Sequence, residues 1–92
     1  MYTIKPTAQF RRDYRRAMKA GLDMQPLRAA VSALAAGEAL PPESRDRPLG
    51  GDMSGYRECR VQPDRLLVYR VDGEYLVLEL IRTGPRAELY RE

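Results

Sequence analysis

Two stretches near the start of the chain repeat hydrophobic residues at the spacing of an α-helix. The first, about residues 8–20, follows Thr7, which is a suitable N-cap, and ends at Gly21. Its apolar positions are Phe10, Tyr14, Ala17 and Met18. The second, about residues 24–36, ends at Gly37. Its apolar face holds Leu27, Ala30, Val31 and Leu34. Because only a very short turn separates the two helices, they are predicted to pack antiparallel as a hairpin.

The second half of the chain has the alternation and turn residues of β-structure. Residues 56–61 alternate, with Cys59 and Val61 on one side of the predicted strand. The opposite side carries Tyr56, Glu58 and Arg60. Strands are also predicted at residues 66–71 and 75–81, joined by Asp72-Gly73 as a two-residue hairpin turn. Three strands with short turns form an antiparallel meander, and the third is apolar enough to be central.

The remaining segments complete the predicted fold. Residues 2–5 are β-prone and precede Pro6, which indicates an edge strand. Residues 38–55 are rich in proline and glycine and are predicted to form a long loop. The fold class is therefore α+β: one domain with an N-terminal edge strand and a helical hairpin packed on a small antiparallel β-sheet. Residues 86–90 are expected to lie over the sheet face that the helices leave open.

The charged residues favour a nucleic-acid partner but do not prove one. The net charge is +3, and fourteen of the sixteen basic residues are arginine. Guanidinium groups bind phosphate and stack on bases, although a GC-rich genome would also favour arginine over lysine. The single Cys59 and the absence of histidine exclude an internal disulfide and a cysteine–histidine metal site. With no apolar run of membrane-spanning length, we expect a reduced cytoplasm and no membrane.

The polar side of the first predicted helix is strongly basic. It carries Arg11, Arg12, Arg15, Arg16 and Lys19. A solvated helix surface explains any one of these residues, but five positive charges on a short helix also suit RNA phosphates. Three of them are RNA-binding candidates: Arg11, Arg15 and Lys19.

A series of short motifs in the second half carries a more specific signal. In order along the chain, they are Asp46-Arg47-Pro48-Leu49, Gly55-Tyr56-Arg57-Glu58-Cys59-Arg60-Val61, Pro63-Asp64, Leu66-Leu67-Val68-Tyr69, Arg82-Thr83-Gly84, Arg86 and Leu89-Tyr90. Their order and spacing resemble the RelE/ParE superfamily of type II toxin–antitoxin toxins, and within it the YafQ-like branch. The resemblance is close from Leu40 onward and agrees only in pattern before that.

The resemblance implies a function as well as a fold. Its members are mRNA interferases: ribosome-dependent endoribonucleases that cleave message in the A site. In the metal-independent family chemistry, the ribose 2′-OH attacks the adjacent phosphate, so no cofactor is implied. The implied partners are a cognate antitoxin, in a heterotetramer or larger complex, and the ribosome with its mRNA.

This chain departs from the YafQ-like pattern at three functional positions. Where that branch has histidine, this sequence has Arg47, Arg60 and Arg86. Arginine stays protonated and cannot act as an ordinary base, but it stabilises a transferring phosphoryl group well. By resemblance, Arg60 and Arg86 would clamp the scissile phosphate, while Arg47 and Arg82 guide the RNA backbone. The proton of the 2′-OH would pass to Asp64, or less favourably to Glu58, and Tyr90 would stack on a base or orient the phosphate.

Structural interpretations of the same residues remain open. A turn aspartate such as Asp64 often caps backbone N–H groups, and Glu58 and Arg60, which share a strand face, could form ordinary cross-strand ion pairs with neighbours. Arg57 is predicted to face the core and hydrogen bond the long loop, and Cys59 is predicted to be a core residue. The tyrosines Tyr56, Tyr69 and Tyr75 are expected to pack. Two other functions also stay open: a ParE-like gyrase inhibitor, and a non-catalytic protein that only binds RNA or an antitoxin.

Overall fold

The computed structural model of the protein describes residues 1–90. The helices are α1 (Ala8–Lys19), α2 (Gln25–Ala35) and the short α3 (Arg86–Leu89). The strands are β1 (Thr3–Pro6), β2 (Arg47–Pro48), β3 (Arg57–Gln62), β4 (Arg65–Asp72) and β5 (Val77–Pro85). The predicted long loop contains β2 and two single-turn 3-10 helices, Pro42–Ser44 and Gly51–Met53. Among these residues, no helix combines the length and hydrophobicity that crossing a bilayer requires.

The two long helices begin and end where the sequence predicts. The Thr7 hydroxyl accepts a hydrogen bond from the Phe10 N–H at 3.0 Å, which caps the first turn of α1. Both helices are followed by a left-handed glycine, Gly21 with φ 81° and Gly37 with φ 78°. These local signals fix where the two helices of the hairpin begin and end, without a contribution from tertiary contacts.

The sheet confirms the α+β class and adds one pairing that the sequence does not predict. Its strand order is β1-β5-β4-β3-β2, and β3, β4 and β5 form the predicted antiparallel meander. The edge strand β1 pairs in parallel with β5, from Thr3 opposite Val77 to Pro6 opposite Leu80. The sheet is therefore mixed rather than purely antiparallel. This pairing makes β5 a central strand, as its apolar sequence indicates.

The alternation of side chains gives the sheet two different faces. One face packs against the helices in a single core. That core includes Phe10, Ala17, Leu27, Leu34, Cys59, Leu67, Tyr69, Leu78 and Leu80. Cys59 is a fully buried core residue, as predicted, and burial raises the pKa of its thiol to about 12. The neighbouring residues along β3 and β4, Glu58 and Leu66 among them, therefore point to the face without α1 and α2.

The β4–β5 turn is longer than the predicted Asp72-Gly73 hairpin. Pairing stops at Asp72 opposite Val77, which leaves a four-residue turn, 73–76. The Asp72 carboxylate accepts hydrogen bonds from the N–H groups of Glu74 and Tyr75, at 3.0 and 3.1 Å. This local bonding stabilises the wider turn in place of a two-residue one. The predicted packing of Tyr75 is wrong, because the turn leaves this side chain 72% exposed.

A buried carboxylate ties α1 to β5. Asp13 is 4% exposed, and its oxygens accept two hydrogen bonds from the Arg82 guanidinium at 3.0 and 3.1 Å. The Thr83 backbone N–H also donates to it at 3.1 Å. Burial alone would raise the pKa of Asp13, but these hydrogen bonds and the charge of Arg82 outweigh burial and lower it. Asp13 is thus an anionic anchor between helix and sheet.

Replacing Asp13 with alanine should lower the free energy of unfolding by about 3 kcal/mol, because it leaves Arg82 without its partner in a part-buried position. Urea denaturation at pH 7 measures this loss. The pKa of Asp13 in the folded state lies below its pKa in the unfolded chain. The stability that Asp13 contributes is therefore complete above the unfolded-state pKa and is lost as the pH falls from there through the folded-state pKa. The gap between wild type and Asp13→Ala should therefore narrow below about pH 4, and a constant gap would contradict this assignment.

Candidate active site

Four residues that the sequence singles out meet in one hollow on the sheet face that α1 and α2 leave uncovered. The hollow measures about 460 Å³. It is lined by Arg45, Glu58, Arg60, Pro63, Asp64, Leu66, Pro85, Arg86 and Ala87. Arg60 lies near the end of β3, opposite Leu66, and Asp64 lies in the turn that follows. Arg86 begins α3, and its backbone N–H donates to the Asp64 carbonyl oxygen at 3.3 Å, which joins the two segments.

Glu58 is the centre of the hydrogen bonds at this site. It is only 2% exposed, yet three side chains reach its carboxylate. The Tyr90 hydroxyl donates to Oε1 at 2.5 Å, and Arg47 Nε donates to Oε2 at 2.9 Å. Arg86 Nη2 also reaches Oε2, at 3.4 Å. Glu58 forms the ordinary cross-strand ion pair that the sequence left open, with Arg47 directly opposite it on β2, whereas Arg60 forms none among residues 1–90.

The surroundings of Glu58 make it a weak base. Burial raises the pKa of Glu58. The hydrogen bonds from Tyr90 and Arg47 and the charges of Arg47 and Arg86 have the larger, opposite effect, so the pKa of Glu58 lies below its usual value. Burial, followed by the bond to Glu58, raises the pKa of Tyr90 to about 12. Tyr90 therefore stays neutral and donates a hydrogen bond to the Glu58 carboxylate. This pair orients side chains more readily than it exchanges protons.

Arg60 and Asp64 differ from Glu58 in having no such partners. Among residues 1–90, the Arg60 guanidinium makes no hydrogen bond or ion pair. Within the same part of the chain, no group donates a hydrogen bond to the Asp64 carboxylate, so the turn-capping alternative is not observed. One cation and one carboxylate without partners in the described part of the chain thus line the same hollow, where both are available to a ligand.

The other predicted RNA-binding residues lie outside this hollow. Arg82 is bonded to Asp13, so its guanidinium serves the contact between α1 and β5. The three RNA-binding candidates on α1 are exposed, on a helix that packs against the opposite face of the sheet. They are Arg11, Arg15 and Lys19. Arg47 is connected to the hollow through Glu58.

Arg45 is a residue of the site that the sequence does not predict. This residue has φ 49°, in the left-handed region, where it ends the 3-10 turn Pro42–Ser44. Its position directly before the Asp46-Arg47-Pro48-Leu49 motif is the only signal in the sequence. With Arg60 and Arg86, it makes three arginines around the hollow.

The donor set of the hollow suits an anion better than a cation. Its charged groups are three arginines and two carboxylates, and guanidinium groups do not ligate metals. One carboxylate, Glu58, is already engaged by three donors. Residues 1–90 contain no cluster of three side chains that could hold a metal ion.

Comparisons with known proteins identify the family of this chain. Residues 2–91 match a family described as the bacterial toxin of type II toxin–antitoxin system, YafQ. The chain is 34% identical over 88 residues to the mRNA interferase toxin YafQ of Escherichia coli strain K12, which covers 95% of this chain and 94% of that protein.

Solved structures show the same fold over nearly the whole chain. A metal-bound toxin from Helicobacter pylori superposes with a TM-score of 0.91 at 37% identity, covering 98% of this chain and 100% of that one. The YafQ chain in the Escherichia coli DinJ–YafQ complex gives a TM-score of 0.89 at 32% identity, with 98% and 99% coverage. This chain therefore belongs to the YafQ family of bacterial type II toxin–antitoxin toxins.

Proposed function

We propose that this protein is an mRNA interferase, an endoribonuclease that cleaves message in the ribosomal A site. The observation that carries the proposal is the hollow itself, where Arg60 and Asp64 lie beside Arg86 without a partner among residues 1–90. The Escherichia coli relative is named an mRNA interferase, which supports the same activity here. A phosphate in the hollow would have cations to bind it and a carboxylate to accept a proton.

The reaction needs no group beyond RNA, water and these side chains. The 2′-oxygen attacks the adjacent phosphorus while its proton passes to the Asp64 carboxylate. The bond from phosphorus to the 5′-oxygen breaks, the 5′-oxygen takes a proton from water, and the upstream fragment ends in a 2′,3′-cyclic phosphate. Arg60 and Arg86 stabilise the extra negative charge of the pentacoordinate phosphorus.

Glu58 acts as a positioning residue in this scheme. Its lowered pKa makes it a poor proton acceptor, but as an anion it holds Arg47, Arg86 and Tyr90 together. Arg86 is thereby aimed at the hollow, and the ring of Tyr90 is fixed beside it for stacking or phosphate contact. Asp64 is left as the proton acceptor.

The partners follow from the same assignment. The Escherichia coli YafQ chain is crystallised with the antitoxin DinJ, so we propose a cognate antitoxin for this protein, in a heterotetramer or larger complex. Its substrate, ribosome-bound mRNA, places it in the cytoplasm. The exposed basic side of α1, with Arg11, Arg15 and Lys19, faces away from the hollow and would contact ribosomal RNA phosphates.

The activity can be tested with purified protein and translating ribosomes. Mapping of message ends should show cuts at the A-site codon, whereas the same message without ribosomes should stay intact. Cleavage should weaken steeply between about 50 and 200 mM salt, because phosphate contacts release counterions.

Supercoiled plasmid with gyrase is the matched control for a ParE-like function. Intact message together with inhibited gyrase would overturn the proposal, and growth arrest without cleavage would indicate a binding-only protein.

Replacing Glu58 with glutamine should lower kcat about 10- to 50-fold, because a neutral amide holds two arginines and Tyr90 less firmly. The half-saturating ribosome concentration should change less. Asp52→Asn, on the exposed 3-10 turn Gly51–Met53, is the control for loss of one negative charge and should cleave normally. If Glu58→Gln abolished cleavage as completely as loss of a catalytic base, Glu58 rather than Asp64 would be the proton acceptor.

A further inference from the structure

A second polar cluster lies behind the hollow, on the core side of β3. The Tyr69 hydroxyl donates to Asp46 Oδ1 at 2.5 Å, and Arg57 Nε lies 3.3 Å from both Asp46 Oδ1 and the Tyr69 hydroxyl. Tyr69 is 1% exposed and belongs to the hydrophobic core. The cluster confirms the predicted structural role of Arg57. It also joins one point of the 38–55 loop to the centre of the fold.

The residues on either side of Asp46 lie at the hollow. Arg45 lines it directly, and Arg47 donates to the Glu58 carboxylate inside it. In β2, Arg47 pairs with Glu58 and Pro48 pairs with Arg57. Since neighbouring residues of an extended segment point to opposite sides, holding the Asp46 side chain against Tyr69 on the core side of the sheet turns Arg47 to the open face.

The regular strand pairing between this part of the loop and the sheet is short. The strand β2 is two residues long, and both of its residues are exposed. The side chains of Arg45 and Arg47 are long and lose considerable freedom when they bind a ligand. A backbone that is already anchored between them reduces that cost, which is the usual benefit of pre-organising a site.

We propose that Asp46, locked by Tyr69 and Arg57, is a positioning residue that presents Arg45 and Arg47 to the RNA phosphates at the hollow. The role rests on the proposed cleavage function. Asp46 touches no substrate itself and acts through the two arginines that flank it. The hydroxyl of Tyr69 contributes by holding Asp46, while its ring serves the core.

The test compares single-turnover cleavage by variants on ribosomes programmed with message. Asp46→Ala should slow cleavage about 10- to 100-fold, because the two arginines lose their fixed positions. Tyr69→Phe, which removes only the hydroxyl, should slow it less, and Asp46→Asn should recover most of the activity because it can still accept from Tyr69. Glu79→Ala removes an ion pair with Arg70 elsewhere on the sheet and should leave cleavage unchanged.

A double-mutant cycle separates positioning from general destabilisation. When Arg45 and Arg47 are both alanine, adding Asp46→Ala should slow cleavage by less than about twofold, because the residues through which it acts are gone. Full additivity in a variant that melts like wild type would overturn the positioning role. If Asp46→Ala does not fold, Tyr69→Phe takes its place in the cycle with the same two outcomes. A wild-type chain that cleaves no message would overturn the proposed function first, so the two failures are distinguishable.

Discussion

Replacing Arg60 with alanine is expected to lower kcat for message cleavage about 10³-fold, the effect of removing an arginine from a transferring phosphoryl group. Arg60 lines the hollow, and none of residues 1–90 pairs with its guanidinium. Its guanidinium is therefore in no ion pair with a described residue and is available to the phosphate in the transition state. Single-turnover cleavage at saturating ribosome concentration measures the loss.

The same lack of partners predicts that Arg60→Ala folds normally. No ion pair within residues 1–90 is broken, so the melting temperature should stay close to that of wild type. Arg60→Lys should give an intermediate rate, since it keeps the charge but not the planar pair of donors. Arg70→Ala, which removes an arginine paired with Glu79 outside the hollow, is the charge-matched control and should cleave normally. Cleavage by Arg60→Ala within threefold of wild type would remove Arg60 from the site.

Elements with strong local signals could be predicted from the sequence. The N-cap at Thr7 and the glycines after α1 and α2 act over a few residues, so the helix bounds were correct within one or two positions. The parallel pairing of β1 with β5 could not be predicted in this way. Its contact joins Thr3 to Val77 across most of the chain, and no short pattern specifies the partner of an edge strand.

The candidate site was only partly predictable for a related reason. The motifs placed Glu58, Arg60, Asp64 and Arg86 on neighbouring strands and turns, and the structure brings these four together. Their partners depend on which charge lies nearest in space. The sequence predicts that Arg82 guides RNA, but in the structure Arg82 binds the buried Asp13 of α1. Arg45 was missed because its orientation depends on the anchoring of Asp46 against Tyr69, a contact between residues 23 positions apart.

Replacing Asp64 with asparagine should lower kcat about 10²- to 10³-fold, the range for loss of a general base. Asparagine has nearly the same shape but cannot accept the 2′-OH proton. Its stability should remain within about 0.5 kcal/mol of wild type, because no group among residues 1–90 donates to the carboxylate. A large loss of rate with unchanged stability would indicate a catalytic carboxylate. A carboxylate that only caps the turn would give the reverse, a loss of stability with little change in rate.

The pH dependence of the Asp64→Asn variant tests the proton transfer itself. Without the carboxylate, hydroxide must take the 2′-OH proton, so residual cleavage should rise about tenfold for each pH unit. Message with a 2′-deoxyribose at the scissile position should resist both proteins, because it has no nucleophile. If the variant kept both its rate and the wild-type pH profile, the proton would go elsewhere. Among the described residues, Glu58 would then be the carboxylate left in the hollow, although the arginines and Tyr90 that hold it as an anion lower its pKa.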